Sequence, residues 1–354
     1  MRGHCPLRSA IMADQSVRQA LRAPLAPTSL ADLDPRATTL APGGKTRTNK
    51  TAREDGAALA SLQEALYAEG AGGGNRRVLL VLQGMDTSGK GGVIKHVIGA
   101  VNPQGTHIAS FKKPTAVELS HHFLWRIRKE LPGPGLIGIF DRSHYEDVLI
   151  ARVRRLVGVS TWEKRFAEIN RFEHNLIEDG GQIVKCFLHI SQEAQKERLL
   201  ARLDDPDKHW KFNPGDIDER EHWPAYAKAY EAVLDRTSTE TAPWYVVPSD
   251  RKWYRNWAIG RLLLETLSEM DPQFPEADYA VDVQRRRLIG ELQPAIRSRA
   301  GRRAIGPMWA RSRRSRRRPE GWTVAEPARC RGPPPRRPRT RPGEYGNQAQ
   351  SHEH

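Results

Sequence analysis

The sequence predicts an α/β protein whose parallel sheet is covered on both faces by helices. Three observations lead there. Short continuous apolar runs, first VLLVLQ at 78–83, read as strands buried on both sides. Segments with helical apolar spacing fill the gaps between these runs. A glycine-rich turn, Gly84 to Gly92, joins the first strand to a helix.

Residues 1–54 are polar and rich in Ala, Pro, Arg and Thr, and are expected to form an irregular arm. A helix is predicted over about 55–69, with Gly70 as its stop. The first strand follows, then a helix from Gly89 to about Val101. Further strands are predicted at HIASF (107–111), LIGIF (136–140), IVKCFLHI (183–190) and WYVV (244–247). Helical patterns cover 115–130, 145–157, 160–180, 192–203, 218–236 and 250–269. Asp271, Pro272 and Pro275 end the last of these, so a compact domain is expected over 55–283.

The net charge of +15 is unevenly placed. Residues 285–354 hold 19 Arg, no Lys and 5 Glu, whereas 1–284 carry a net charge of +1. From 284 onward the Arg/Pro/Gly-rich composition predicts a disordered tail. No apolar run reaches the length of a spanning helix. Three scattered cysteines, Cys5, Cys186 and Cys330, argue against a disulfide framework and suit a reducing, cytoplasmic setting. MRGHCPLRSAIMADQS lacks the apolar core of a secretory signal. Met12 is an alternative start, with the first eleven residues as an upstream extension.

The most specific feature is Gly84-Met85-Asp86-Thr87-Ser88-Gly89-Lys90-Gly91-Gly92. It fits G-x-x-x-x-G-K between a strand and a helix, the context a phosphate-binding loop requires. Glycines let backbone N–H groups turn inward, the helix N-terminus adds partial positive charge, and Lys90 adds a full one. Gly91 replaces the hydroxyl that normally ligates the metal. Asp86 lies inside the loop, which suits a divalent cation between carboxylate and phosphates; the alternative is a helix cap that never touches ligand. LIGIF ends in Asp141-Arg142-Ser143-His144-Tyr145-Glu146-Asp147. Asp141 is placed to orient a metal at the sheet's top edge, with Arg142 facing phosphate. Ser143 and Glu146 have the spacing of a capping box. His144 and the His121–His122 pair read as packing or surface residues. In EAQKERLLARLDDPDKHWKF (193–212), Arg198 and Arg202 share a helix face and Lys208 and Lys211 follow, as in a kinase lid reaching to about 222. The tryptophans Trp210, Trp223, Trp244, Trp253 and Trp257 read as core or lid packing.

Taken together, these segments resemble the polyphosphate kinase type 2 family, over about residues 45–270. VLLVLQGMDTSGKGG, VNPQGTHIASFKKPT, FLWRIRKELP, IGIFDRSHYEDVL, the 187–220 segment and RTSTETAPWYVVPSDRKWYRNW carry the resemblance. It implies a three-layer, thymidylate-kinase-like P-loop kinase fold with a helical lid. It implies transfer of a terminal phosphoryl group between inorganic polyphosphate and AMP or ADP, reversibly, with Mg²⁺ or alternatively Mn²⁺. HYED after the strand-end arginine matches the subgroup accepting both nucleotides. The resemblance makes Asp86 and Asp141 metal-orienting and gives Lys90, Arg142 and Arg202 catalytic contacts with phosphate. Gly84, Thr87, Gly89, Gly91, Gly92, Lys95, Lys112, Lys113, Arg126, Tyr145, Glu146, Arg198 and Lys208 become candidates for phosphate or nucleotide binding. It also implies a dimer or tetramer. Two rival readings remain at this point: an ATP-dependent nucleotide or small-molecule kinase, and polyanion or nucleic-acid binding by the Arg-rich tail.

Overall fold

In a computed structural model, residues 16–24 and 28–300 are described, with the side chains of 291–300 excepted. The Arg-rich stretch 301–354, Cys5 and Cys330 lie outside these residues. Two compact units divide after Tyr279.

The first unit is built on five parallel strands: β1 Arg77–Gln83, β2 Thr106–Ser110, β3 Ile137–Asp141, β4 Gly181–His189 and β5 Trp244–Pro248. Their order is β2-β3-β1-β4-β5, so both halves of the sheet grow outward from β1. All five predicted strands are present, shifted by no more than two residues at either end. Helices α1 Val17–Leu21, α2 Lys45–Ala71, α3 Lys90–His96, α4 Ala116–Leu119, α5 Leu124–Lys129, α6 Ile150–Val153, α7 Val159–Glu178, α8 Gln192–Leu203, α9 Gly215–Glu221, α10 Trp223–Thr237 and α11 Lys252–Met270 complete it.

Strand alternation sorts the core into two layers. Val78, Leu80, Leu82, Val184, Cys186 and Val247 pack under α2, α3 and α11. Leu79, Val81, Phe140, Phe187 and Trp244 pack under α5, α7 and α10. Burying both faces explains why these strands read as unbroken apolar runs. Cys186 is free and buried, and burial pushes its thiol pKa up.

Several expectations need correction. The arm is not irregular throughout. Ser16 Oγ and the amides of Val17 and Arg18 donate to the Glu265 carboxylate on α11, at 2.8–3.1 Å. Arg22 forms an antiparallel bridge with Tyr245, and the Ala23 amide donates to Trp244 O at 2.8 Å. The arm therefore lines the free edge of β5. Farther along, His189 Nε2 donates to Leu33 O at 2.9 Å. None of these long-range contacts leaves a local periodicity to read. Helix α2 starts at Lys45, not near 55, because its polar first half docks on α11 (Arg261 to Asp55, 3.1 Å) instead of presenting an apolar stripe. The 115–130 pattern splits into α4 and α5; the 145–157 pattern into a 3₁₀ turn, His144–Asp147, and α6; and 218–236 into α9 and α10. The capping box lies at Thr115 and Glu118, not at Ser143 and Glu146. Ser143 Oγ instead accepts from the Tyr145 amide in the 3₁₀ turn. The second unit contains α12, Val281–Ala300, so 284–300 are helical where disorder was expected.

Gly70 does not stop α2. It sits in the last turn, where a Cβ would lie 2.5 Å from the Gly135 backbone, itself at φ +77°. Gly70→Ala should therefore lower stability by about 1–3 kcal/mol through overpacking, even though Ala is the better helix former. Urea titration checks this; a stabilised variant would refute the close approach.

Candidate active site

The C-terminal edge of the sheet carries the site. After β1 the chain turns sharply through Gly84 (φ +151°), Thr87 (φ +61°) and Gly89 (φ +110°), which leads into α3. Lys90 folds back and donates to Gly84 O at 2.8 Å. Burial lowers its pKa, and Asp86 partly offsets that effect. The Asp86 carboxylate is not a helix cap. It accepts from Arg142 Nη2 at 2.8 Å. Arg142 follows β3 with φ +64°, a backbone conformation that aims it across at the loop. Burial opposes its charge, but Glu146 and then Asp86 outweigh burial and raise its pKa.

Glu146 is drawn into the same group. Burial raises its pKa, while Arg142 and Lys90 pull it down. With the Gln83 amide nitrogen turned toward it, a 3.1 Å hydrogen bond reaches Glu146 Oε1. Asp141 ends β3 beside these groups, and its charge is felt by Lys90. Its carboxylate makes no hydrogen bond or ion pair among the described residues. Asp86 and Lys90 from the loop thus converge with Asp141, Arg142 and Glu146 from the end of β3, two motifs far apart in sequence.

The lid segment lies on the loop. Gln195 Nε2 donates to Asp86 O at 2.9 Å. Arg198 donates to Thr87 O at 2.8 Å and Ser88 O at 3.1 Å, and also to the backbone of Ser249 and Asp250. Its guanidinium therefore splints the loop. Arg202 bonds Lys211 O at 2.9 Å and Asp216 at 3.3 Å, and Lys208 pairs with Asp205 at 2.6 Å.

A cavity of about 300 Å³ opens between loop and lid. Thr87, Gly89, Gly92, His96, Arg198, Ala201, Arg202, Lys208, Lys211, Lys252, Arg255 and Asn256 line it. Arg255 is a candidate site residue absent from the sequence-based set. It is buried, donates to Ser88 O at 3.0 Å, and lies so close that a Cβ on Gly89 would meet its Nη1 at 1.8 Å. Burial, with Arg198 as a like charge, pulls its pKa down to about 9. Lys252 and Asn256 join it from the same helix. The helix also carries Lys252, Arg261, Glu265 and Glu269, so nothing local in the sequence singled Arg255 out.

Other predicted residues are placed elsewhere. Tyr145 needs correction: its ring is fully buried against Trp244, and its hydroxyl donates to Glu173 at 2.7 Å, so it faces the core and not a nucleotide. The 3₁₀ turn sends Tyr145 inward and leaves Glu146 toward the loop. Arg126 is buried against Phe111, bonding Lys112 O at 2.9 Å with Asp147 at 3.8 Å. Lys112 and Lys113 are exposed after β2. Lys95 and Gly91 are exposed on α3, where His96, not Lys95, lines the cavity. His144 is buried packing, as expected. Trp244 and Trp257 are buried, whereas Trp210 is 79% exposed.

A second cavity of about 450 Å³ includes Leu30, Leu33, Met85, Phe187 and Trp223. Its carboxylates are Glu193 and Glu231, and no lysine or arginine lines it, so it repels phosphate.

A five-stranded parallel sheet in this order, with a phosphate loop after β1, an acid at the end of β3 and a basic lid, defines a P-loop phosphotransferase. The comparisons with known proteins narrow the class. A family model described as Polyphosphate kinase 2 matches residues 44–275. The chain belongs to this family. It is 46% identical over 251 residues to the AMP/ADP-polyphosphate phosphotransferase of Meiothermus ruber, covering 71% of this chain and 92% of that one. It is 42% identical over 252 residues to the ADP-polyphosphate phosphotransferase of Rhodopseudomonas palustris, covering 68% and 84%. The crystal structure of Polyphosphate Kinase 2 from Arthrobacter aurescens TC1 superposes with a TM-score of 0.76 at 47% identity, covering 78% of this chain and 97% of that one.

Proposed function

We propose that this enzyme moves the terminal phosphoryl group of inorganic polyphosphate to AMP and ADP, and back. The chemistry of the cavity beside the phosphate loop carries the reading. Arg198, Arg202, Lys208, Lys211, Lys252 and Arg255 line it, and no carboxylate does. Ala201 is its one aliphatic residue and no Phe, Tyr or Trp is present, so nothing there offers an adenine a slot. A polyanion without a base fits where an ATP donor would not. The names of the Meiothermus and Rhodopseudomonas relatives agree with this choice.

Phosphoryl transfer needs in-line positioning and charge neutralisation more than covalent help. Lys90 and Arg142 supply positive charge at the loop, and Arg202 lies on the lid side of the same cavity. Two carboxylates, Asp86 and Asp141, suit Mg²⁺, which is commonly held by one or two carboxylates together with substrate phosphates. No larger cluster of three or more metal-ligating side chains exists among the described residues. The unengaged Asp141 carboxylate is the open donor, while Asp86 has one oxygen, Oδ1, committed to Arg142. The metal, when bound, would neutralise phosphate charge. No helix among the described residues is long and apolar enough to cross a membrane. We place the enzyme in the cytoplasm as a homo-oligomer.

The test supplies Mg²⁺ and long-chain polyphosphate with AMP or ADP. ADP and ATP should form respectively, and neither should form without polyphosphate. If ATP alone serves as donor, the reading is wrong. Arg255→Met should raise the KM for polyphosphate about tenfold, in line with about 1.5–3 kcal/mol for a charged hydrogen bond. An unchanged KM would remove Arg255 from the donor site.

A further inference from the structure

Thr87, in the middle of the phosphate loop, has a left-handed backbone with φ +61°. Glycine adopts that conformation freely. A β-branched side chain does so rarely, and such strain persists only where the surroundings over-determine it. Here the peptide units on both sides of Thr87 are held by one face of α8. Gln195 Nε2 donates to Asp86 O at 2.9 Å, and Arg198 Nη1 donates to Thr87 O at 2.8 Å. The two residues lie one helical turn apart, so they project together. The base of α8 is itself fixed: the Ser191 amide and hydroxyl donate to the Asp250 carboxylate at 2.9 and 2.8 Å.

Gln195 is buried, and its amide is committed at both ends. Its Oε1 accepts from Arg220 Nη1 at 2.6 Å, and the same Arg220 nitrogen donates to Gln192 O at 3.1 Å. A guanidinium only donates and a carbonyl only accepts, so the contacts with Arg220 and Asp86 allow the amide one orientation. Arg220 lies on α9, at the far end of the lid. Glu219 beside it accepts from Arg154 at 2.8 Å and from the Tyr226 hydroxyl at 2.7 Å, which ties α9 to α6 and α10. Hydrogen bonds therefore run without a break from α9 through Gln195 to the loop. A trans peptide points its C=O and the following N–H in opposite directions. With Asp86 O turned to Gln195, the Thr87 N–H faces away from α8. It makes no hydrogen bond among the described residues, which leaves it a donor for an anion.

We propose that Gln195 is a positioning residue which, oriented by Arg220, holds Thr87 in its left-handed conformation and so presents the Thr87 amide to the phosphate chain. It acts through the loop backbone. The inference rests on the phosphotransfer reading above for the identity of the anion. Simple filling of the core is the lesser account of Gln195, because an apolar side chain would fill the same space without gripping a strained turn.

The test measures the Kd of the full chain for inorganic tripolyphosphate with Mg²⁺ by calorimetry, beside Tm. Gln195→Met keeps the length of the side chain and removes both of its hydrogen bonds. It should weaken binding about tenfold, the scale of one strained backbone conformation left unsupported. Arg220→Met, at a less buried position, should weaken binding about threefold in the parent and add nothing in the Gln195→Met background, because it acts through Gln195. In a Thr87→Gly background, Gln195→Met should cost less than about threefold, since glycine needs no clamp to hold a positive φ. A Gln195→Met variant with a lower Tm but the parental Kd would overturn the inference, as would an equal loss with and without Thr87→Gly. If Gln195→Met does not fold, Arg220→Met decides: a parental Kd there would overturn the inference. A parent that binds tripolyphosphate but makes no ADP or ATP from polyphosphate would overturn the phosphotransfer reading, and the affinities would still decide the role of Gln195. A parent that does not bind tripolyphosphate would overturn both.

Discussion

Asp141→Asn should lower kcat about 100-fold or more with both acceptors, even at saturating Mg²⁺ and polyphosphate. Losing one preorganised electrostatic contact to transferring groups typically costs about 10²–10³ in rate. The substitution is nearly isosteric. Its carboxylate makes no hydrogen bond or ion pair among the described residues, so folding loses nothing specific and stability should change by only about 0.5 kcal/mol. Asp86→Asn should lose rate as well, but it also unpairs Arg142 from its 2.8 Å contact. The clean measurement is therefore kcat for Asp141→Asn beside its thermal melt. Near-parental turnover would show that Asp141 does not hold the metal.

Lys90→Ala should abolish detectable transfer. The ammonium is buried and hydrogen-bonded within the loop it serves, so no neighbouring side chain can replace it. Single-turnover assays with polyphosphate in excess check this; residual turnover within tenfold of the parent would contradict the role. A pH effect accompanies it. Burial lowers the pKa of Lys90, so raising the pH neutralises it earlier than an ordinary lysine at about 10.4. The alkaline limb of kcat/KM, which reports the free enzyme, should fall below that value. A limb at the ordinary lysine pKa would mean that another group controls it.

The strands and phosphate loop were legible because their signals are local. A strand buried on both faces must be continuously apolar, and glycine spacing around Lys90 records a backbone path. Asp141 and Arg142 were legible for the same reason, as strand-end residues. Residues that act across the chain were not. Arg255 reaches Ser88 from 167 positions away, and Glu265 receives the arm from 249 away. Tyr145 was misplaced because its direction depends on a 3₁₀ turn where an α-helix was expected. Buried Lys185 did leave a clue to its partner Glu173: a lysine inside IVKCFLHI must find a counter-ion if the strand is buried.

The arm's bridge to β5 has a consequence for handling the protein. An outer strand with unpaired backbone groups is a template on which another molecule can add its own strand. Arg22 and Ala23 occupy part of that row on β5, and the Glu265 anchor holds their segment in place. They work as a selvedge, the bound margin that keeps a fabric from unravelling. Trimming the chain to the phosphate-binding body, as its family boundaries at 44–275 invite, would cut the margin away. The shortened protein should gain a sticky edge before it loses any chemistry.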